Sequence, residues 1–308
     1  MKALLFPGQG SQIVGMGSEF YKNFDIAKKL FEKADNKLGY KISKIILEGP
    51  EDQLKLTQNT QPAIMTVGFV IFNILKDEFN LDLKNFKLFA GHSLGEYTAL
   101  VCAGALDFED ALFLLHERGK AMQEAVPIGS GGMLAVLGTE LNEINKIILG
   151  LKNNKVCEIA NDNAEGQIII SGNIESIEEL QNILKQNKRK SIKLPVSAPF
   201  HCSLMKRAAD KMKDKIDTIK FKSLSHSIVS NVTAKGEQDT NNIKKLLVEQ
   251  IYSKVRWRES ILYMVSTGIT EFVEIGPGKV LSGLVKRIAK DKKSNNINSI
   301  NDIKNFLT

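Results

Sequence analysis

The sequence predicts an α/β fold: a large α/β-hydrolase-like domain with a mostly parallel sheet, plus a small inserted ferredoxin-like subdomain. Three observations predict it. Apolar runs alternate with helical patterns from end to end, as in α/β proteins. Gly91-His92-Ser93-Leu94-Gly95 fits the G-x-S-x-G pattern and lies between a strand-like run, Phe86 to Ala90, and a helix-like run, Glu96 to Ala103. From about 128 to 196 the order of elements becomes β-α-β-β-α-β, the split ferredoxin-like motif. The large domain then comprises residues 1–127 and 197–308, with 128–196 as the insertion.

The first strand runs from Lys2 to Phe6 into the glycine loop Pro7-Gly8-Gln9-Gly10-Ser11-Gln12. Amphipathic helices follow through Leu47. Gln61 to Phe79 has few charges and is expected to be a long buried helix. The Ser93 strand and helix come next, and then a helix from Asp107 to Val126. Asp107 is its expected N-cap, with Glu109 and Asp110 in the first turn. Pro127-Ile128-Gly129-Ser130-Gly131-Gly132 is the clearest linker. Beyond it, strands are expected at Met133 to Leu137, Lys155 to Ala160, Gln167 to Ser171 and Ser191 to Leu194, with helices at Glu140 to Gly150 and Ile174 to Gln186. Pro195 begins the return to the large domain. A strand near Ile228, helices near Asn242 to Tyr252 and Trp257 to Thr267, and a strand at Glu271 to Ile275 follow. Gly276-Pro277-Gly278 turns that strand into a final helix, and the Lys/Asn/Ser-rich tail after Lys290 is expected to be frayed at first.

At 308 residues the chain can bury a large core, and 43% hydrophobic and 25% charged residues are those of a soluble globular protein. No apolar run is long enough to span a bilayer, and no nucleic-acid module is evident. The first residues lack the features of a signal peptide. Three cysteines, Cys102, Cys157 and Cys202, lie far apart without metal-ligand spacing, which points to a reducing cytoplasm and to no metal site. The net charge of +7 is spread along the chain as abundant lysine and reads as a compositional habit. The other reading is a surface that attracts a phosphorylated cofactor or an acidic protein.

Strand, tight turn and helix make Ser93 a candidate nucleophile, with the helix dipole aimed at it. A serine needs a base, and there are four histidines. His92 adjoins Ser93 on the same turn, so their side chains should diverge. His116 reads as a surface residue in mid-helix, and His226 lies in a polar stretch. His201, on a segment stiffened by Pro195 and Pro199, remains as the best base. Arg118 shares a helix face with Ala111, Leu115 and Met122. A buried guanidinium needs a partner. Either it makes an internal salt bridge to Glu96 or Glu124, or it clamps a substrate carboxylate. The glycine loop after the first strand can offer backbone amides to an oxyanion. Gly276-Pro277-Gly278 reads as a turn. No acid stands out as the third member of a triad; Asp162, Glu249 and Asp239 all stay open.

Taken in order, these motifs resemble the malonyl-CoA:acyl-carrier-protein transacylases of type II fatty-acid synthesis. The resemblance rests on Pro7 to Gln12, Gly91 to Glu96, Arg118-Gly119 with Met122, and Ala160-Asn161-Asp162-Asn163. It continues through Pro195 to His201, Gln250, Val255-Arg256-Trp257, and Glu274 to Gly278. It implies Ser93 as nucleophile, His201 as base and Gln250 as the residue whose backbone carbonyl orients the base. It also implies an oxyanion hole from the Gln9 and Leu94 amides, and Arg118 as the holder of the malonate carboxylate. Phe200 would favour malonyl over methylmalonyl, Asn163 would line the cleft, and Met122 and His92 would border the acyl group. The implied partners are malonyl-CoA and an acyl carrier protein that brings its own phosphopantetheine, with no cofactor bound to this chain. The expected setting is a bacterial rather than plastid cytoplasm, since no transit segment is seen, and the expected state is a monomer. Lys188-Arg189-Lys190 is a weak candidate for carrier docking beside its plainer reading as a solvated edge. The other functional readings are a serine thioesterase or acyl hydrolase, and a catalytically dead carrier-binding module.

Overall fold

Lys2–Phe6 forms strand β1, and Ala3, Leu4, Leu5 and Phe6 are all fully buried. A strand that is apolar on both faces suits the centre of a parallel sheet covered on both sides. The coordinates are those of a computed structural model that describes residues 1–196 and 198–307. Ser197, a member of the Pro195 to His201 segment, and Thr308 lie outside the described residues.

Five helices follow β1: α1 (Ser18–Asn23), α2 (Asp25–Leu38), α3 (Ile42–Glu48), α4 (Glu51–Lys55) and the long buried α5 (Thr57–Asp77). Strand β2 (Phe86–Gly91) leads into α6 (Gly95–Cys102) and then α7 (Phe108–Glu124). After the small subdomain come α10 (Lys206–Thr218), β7 (Ser227–Val229), β8 (Gly236–Glu237), α11 (Thr240–Gln250), α12 (Trp257–Ser266), β9 (Glu271–Ile275), α13 (Val280–Ile288), β10 (Lys293–Ile297) and α14 (Ile300–Leu307). The main sheet runs β10-β9-β1-β2-β7-β8, and only β8 is antiparallel to its neighbour. Alternate residues of the central strands face different cores: Leu4, Phe6 and Phe89 lie on one side, Ala3, Leu5, Leu88 and Ala90 on the other. Phe6 is in register with Gly91, so the glycine loop and the Ser93 turn leave the same edge of the sheet side by side.

The subdomain consists of β3 (Gly131–Leu137), α8 (Leu141–Leu149), β4 (Cys157–Ala164), β5 (Gln167–Asn173), α9 (Ile174–Gln186) and β6 (Lys190–Lys193). Its antiparallel order β4-β5-β3-β6 is that of the ferredoxin-like motif. Leu134, Val136, Ile168 and Ile170 pack on its own two helices. The intervening Met133, Ala135 and Ile169 turn the other way and join the large core. The chain also ties the two units together at one end. Asp162 N–H donates to Val255 O at 3.0 Å, Val255 N–H donates to Ala160 O at 2.8 Å, and Arg258 grips Asp162 at 2.9–3.1 Å.

Several expectations need correction. Within the tail after Lys290, Lys293–Ile297 forms a strand and Ile300–Leu307 a helix. Its polar strand β10 pairs with β9 at the sheet edge, where side chains meet water, and only Ile297 and Ile303 need be fully buried. Helix α14 is fastened by Ile300 N–H donating to Glu19 and by Lys2 lying over the Phe306 ring. Asp107 stands at the N-cap of α7, but its side chain pairs with Lys222 at 2.6 Å and caps nothing. His116 is half-buried, not a surface residue. Helix α5 starts four residues earlier than expected and contains Pro62, whose missing N–H leaves the Gln58 carbonyl without its helical donor. His116 Nδ1 takes that carbonyl at 3.2 Å.

Candidate active site

Ser93 occupies the left-handed backbone region, φ 54°, at the apex of the turn between β2 and α6. A non-glycine residue there is strained and persists only when its surroundings over-determine it. They do so here. A Cβ on Gly91 would lie 1.9 Å from Gly95, and one on Gly95 would lie 2.2 Å from Phe6 O. Only glycine lets the turn close on itself and on the end of β1. The fully buried Asn231, just past β7, spans the turn. Its Oδ1 accepts from Ser93 N–H at 2.7 Å, and its Nδ2 donates to Gly91 O at 2.7 Å. Ser93's own amide is thus occupied. Gln9 and Leu94 line the same cavity, and among the described residues the backbone N–H of neither is paired.

His201 is also left-handed, φ 58°, and 5% exposed. Its Nδ1 lies 2.8 Å from Gln250 O and its Nε2 lies 2.8 Å from Ser93 Oγ. A carbonyl can only accept, so Nδ1 carries the proton and Nε2 is left to accept from the serine hydroxyl. Burial first, and then the Arg118 cation, hold the His201 pKa down to about 3. The imidazole is neutral at any ordinary pH. The acids left open in the sequence have other work. Asp162 holds Arg258 and Asp239 caps α11, and the group that meets His201 Nδ1 is the Gln250 carbonyl, not the carboxylate of its neighbour Glu249.

Arg118 is 1% exposed. Helix α7 can bring it in because Gly119 has no Cβ, which would otherwise lie 2.6 Å from Gln58 Cα of α5. Arg118 Nη1 donates to Gln61 Oε1 at 2.7 Å, and Nη2 donates to Gln250 Oε1 at 2.7 Å and to Ser93 Oγ at 3.1 Å. The internal salt bridge is not what the structure contains: among the described residues no carboxylate pairs with Arg118, and Glu124 pairs with Lys211 at 3.1 Å. Gln61 and Gln250 offer neutral oxygens instead, so the guanidinium keeps its charge uncancelled, with Nε unpartnered and the Tyr97 ring 5.7 Å away. Glu96, 2% exposed, instead accepts at Oε2 from Gln250 Nε2 at 2.7 Å and from Asn231 N–H at 3.1 Å. Burial pushes its pKa up to about 7, against the pull of those two donors and Arg118.

These two buried groups tilt stability in opposite directions. For Glu96 the folded value of about 7 lies above the ordinary 4.5. Its contribution is fully present below pH 4.5 and is lost as pH rises through 7. For His201 the folded value of about 3 lies below 6.5, so its contribution is present above 6.5 and is lost as pH falls toward 3. Glu96→Gln removes the first effect only. Relative to the parent, its unfolding free energy should therefore rise by up to about 3 kcal/mol between about pH 4.5 and about pH 8. Urea titrations at the two pH values read this directly.

The cavity above Ser93 measures about 190 Å³. Met122, Met133, Ile169 and Phe200 supply its apolar wall, and Gln9, Gln61, His92, Asn163 and Arg118 its polar groups. His92 turns away from Ser93, and its Nε2 lies 2.8 Å from Asn163 Oδ1, joining the turn to β4 of the subdomain. The structure therefore gathers every residue singled out for the site around one cavity, with Gln250 behind His201 and Arg118. Lys188-Arg189-Lys190 lies elsewhere on the subdomain, where Arg189 pairs with Glu143. Sequence reasoning did not find Asn231 or Gln61, and it saw Glu96 only as a partner for Arg118. Asn231 had no local signal, because its role depends on β7 lying beside β2. Gln61 was visible as a polar residue in a helix with few charges. Gly276-Pro277-Gly278 is a turn that packs on the glycine loop: a Cβ on Gly276 would lie 2.7 Å from Pro7.

A family model described as an acyl transferase domain matches residues 3–304, and the protein is an acyltransferase. The malonyl CoA-acyl carrier protein transacylase of Bacillus subtilis is 43% identical over 295 residues, covering 95% of this chain and 92% of the relative. An acyl-carrier-protein-S-malonyltransferase structure from Bartonella henselae superposes with a TM-score of 0.96 at 41% identity, covering 99% of this chain and 98% of its own. A structure of a type II PKS acyl-carrier protein in complex with its malonyl-transacylase matches with a TM-score of 0.95 at 37% identity, over 98% and 97% of the two chains. The chain belongs to the malonyl CoA-acyl carrier protein transacylase family. No helix among the described residues is long and apolar enough to cross a membrane.

Proposed function

We propose that the chain transfers a malonyl group from malonyl-CoA to the phosphopantetheine thiol of an acyl carrier protein through an ester on Ser93. One observation carries the residue roles: Ser93 Oγ has His201 Nε2 at 2.8 Å on one side and Arg118 Nη2 at 3.1 Å on the other. His201 Nε2 takes the hydroxyl proton as Ser93 Oγ attacks the thioester carbon. The Gln250 carbonyl keeps the ring in the right tautomer. The free amides of Gln9 and Leu94 receive the oxyanion, each such donor being worth about 2.7–4 kcal/mol elsewhere. The tetrahedral intermediate collapses, His201 returns its proton to the coenzyme A sulfur, and the malonyl ester stays on Ser93. The carrier's thiol then gives its proton to His201 and attacks the ester, so the second half-reaction reverses the first.

Arg118 selects the acyl group. A malonyl ester places its carboxylate one methylene beyond the ester carbonyl, within reach of a guanidinium already beside Ser93 Oγ. An acetyl ester leaves that cation unpaired. Met122, Phe200, His92 and Asn163 bound the acyl pocket, and Phe200 beside the base crowds a branched acyl chain. The cleft lies between the 1–127 and 197–308 domain and the 128–196 insertion. No bound cofactor takes part, the working form is a monomer, and the setting is the bacterial cytoplasm.

Intact-protein mass spectrometry after mixing with malonyl-, methylmalonyl- or acetyl-CoA tests the reading. The expected result is a malonyl adduct that discharges onto a phosphopantetheine thiol much faster than onto water. An adduct that only water removes would make the protein a hydrolase. No adduct from any of the three would make it a binding module.

A further inference from the structure

Gln250 acts through two separate arms. Its backbone carbonyl holds His201, while its side-chain amide holds Arg118. An amide has a direction: one end accepts and the other donates. Arg118 can only donate, so Gln250 Oε1 must face it, and Nε2 must find acceptors on the opposite side. Those acceptors are Glu96 Oε2 at 2.7 Å and, at a longer 3.1 Å, Ser93 O. We propose that Glu96 is a positioning residue for acyl-group selection: its Oε2 anchors the Gln250 side-chain amide, which in turn aims the Arg118 guanidinium at the acyl carboxylate. The inference rests on the reading of Arg118 as the carboxylate holder.

Three features favour this over a general structural role. Glu96 lies on α6, one helical turn behind the nucleophile, and touches neither Ser93 Oγ nor the cavity. The second donor to that oxygen, Asn231 N–H, is main chain, while the Asn231 side chain that spans the Ser93 turn is held separately by Ser93 N–H and Gly91 O. The His201 arm bypasses Glu96, because it is built from the main chain of Gln250. Loss of the anchor should therefore move selectivity before it moves the reactivity of Ser93. The acceptor role holds whether Glu96 is ionised or neutral, since two donors on Oε2 leave any proton to Oε1.

The test compares the parent with Glu96→Met, which fills the space without an oxygen, and Glu96→Gln, which keeps one. Two quantities are read: the malonyl-to-acetyl ratio of kcat/KM, and the rate at which an uncharged fluorophosphonate labels Ser93. For Glu96→Met the ratio should fall about tenfold or more, the scale of one lost charge-assisted hydrogen bond. Its labelling should stay within about threefold, the His201 arm being main chain. Glu96→Gln should restore the ratio. Should Glu96→Met not fold, Glu96→Asp, whose shorter side chain withdraws the oxygen from Gln250, takes its place with the same expectation. An unchanged ratio overturns the proposal, as does labelling that falls in step with the ratio, or a Glu96→Gln ratio as low as that of Glu96→Met. Arg118→Ala separates the two levels of inference. If it keeps its malonyl preference, the carboxylate-holder reading fails. If it loses that preference while Glu96→Met keeps it, only the role of Glu96 fails.

Discussion

Ser93→Ala is expected to abolish the covalent malonyl adduct and to lower transfer by at least about a thousandfold, the scale seen when one member of a catalytic unit is removed. Among the described residues the geometry offers no substitute nucleophile. His201 Nε2 faces Ser93 Oγ, and His92 is turned toward Asn163. The variant should fold. Alanine keeps the Cβ and the backbone N–H that Asn231 holds, so the turn loses only a hydroxyl. Intact mass after mixing with malonyl-CoA is the measurement, and a persistent malonyl adduct on the alanine variant would sink the nucleophile assignment. Binding of malonyl-CoA should survive, because Arg118, Gln9 and the apolar wall remain. Loss of chemistry with retained binding distinguishes a missing nucleophile from a collapsed site.

Arg118→Ala is expected to lose most of the preference for malonyl over acetyl thioesters. Two hydrogen bonds to a carboxylate are at stake, each worth roughly 1.5–3 kcal/mol, so selectivity should fall by about a hundredfold or more. Acetyl transfer should suffer far less. Arg118 is the second cause, after burial, of the low His201 pKa, and its removal lets the base strengthen. Arg118→Lys should recover little, because an ammonium cannot span Gln61, Gln250 and a carboxylate as a planar fork does. Full kcat/KM values for malonyl-, methylmalonyl- and acetyl-CoA measure it, and undiminished malonyl selectivity would rule the clamp out.

The parts of this molecule that could be read from the chain are those whose cause is local. The Ser93 turn is five consecutive residues between a strand and a helix. The β-α-β-β-α-β order survives whatever the rest of the fold does. The unread parts depend on segments far apart in sequence. Asn231 matters because β7 lies beside β2, and nothing in its own neighbourhood announces that. The partners of Arg118 were undecidable because Gln61 and Gln250 reach it from helices α5 and α11. Gln250 entered only by resemblance: a backbone carbonyl is common to every residue and has no sequence signature. Strand β10 was missed because an edge strand with polar side chains lacks the apolar alternation that marks a half-buried one.

A base that leans on a peptide carbonyl has a further effect. A carboxylate in that place would be a resident anion, ready to steady an imidazolium with or without cargo. The Gln250 carbonyl carries no net charge, and the cation of Arg118 weakens the base. An acyl group that arrives with its own carboxylate cancels that cation and gives the base back some of its strength. On the proposed reading, the cargo completes the electrical circuit of the enzyme. An empty site, or one loaded with a neutral acyl chain, holds a weaker base than one loaded with an acyl group that carries a free carboxylate.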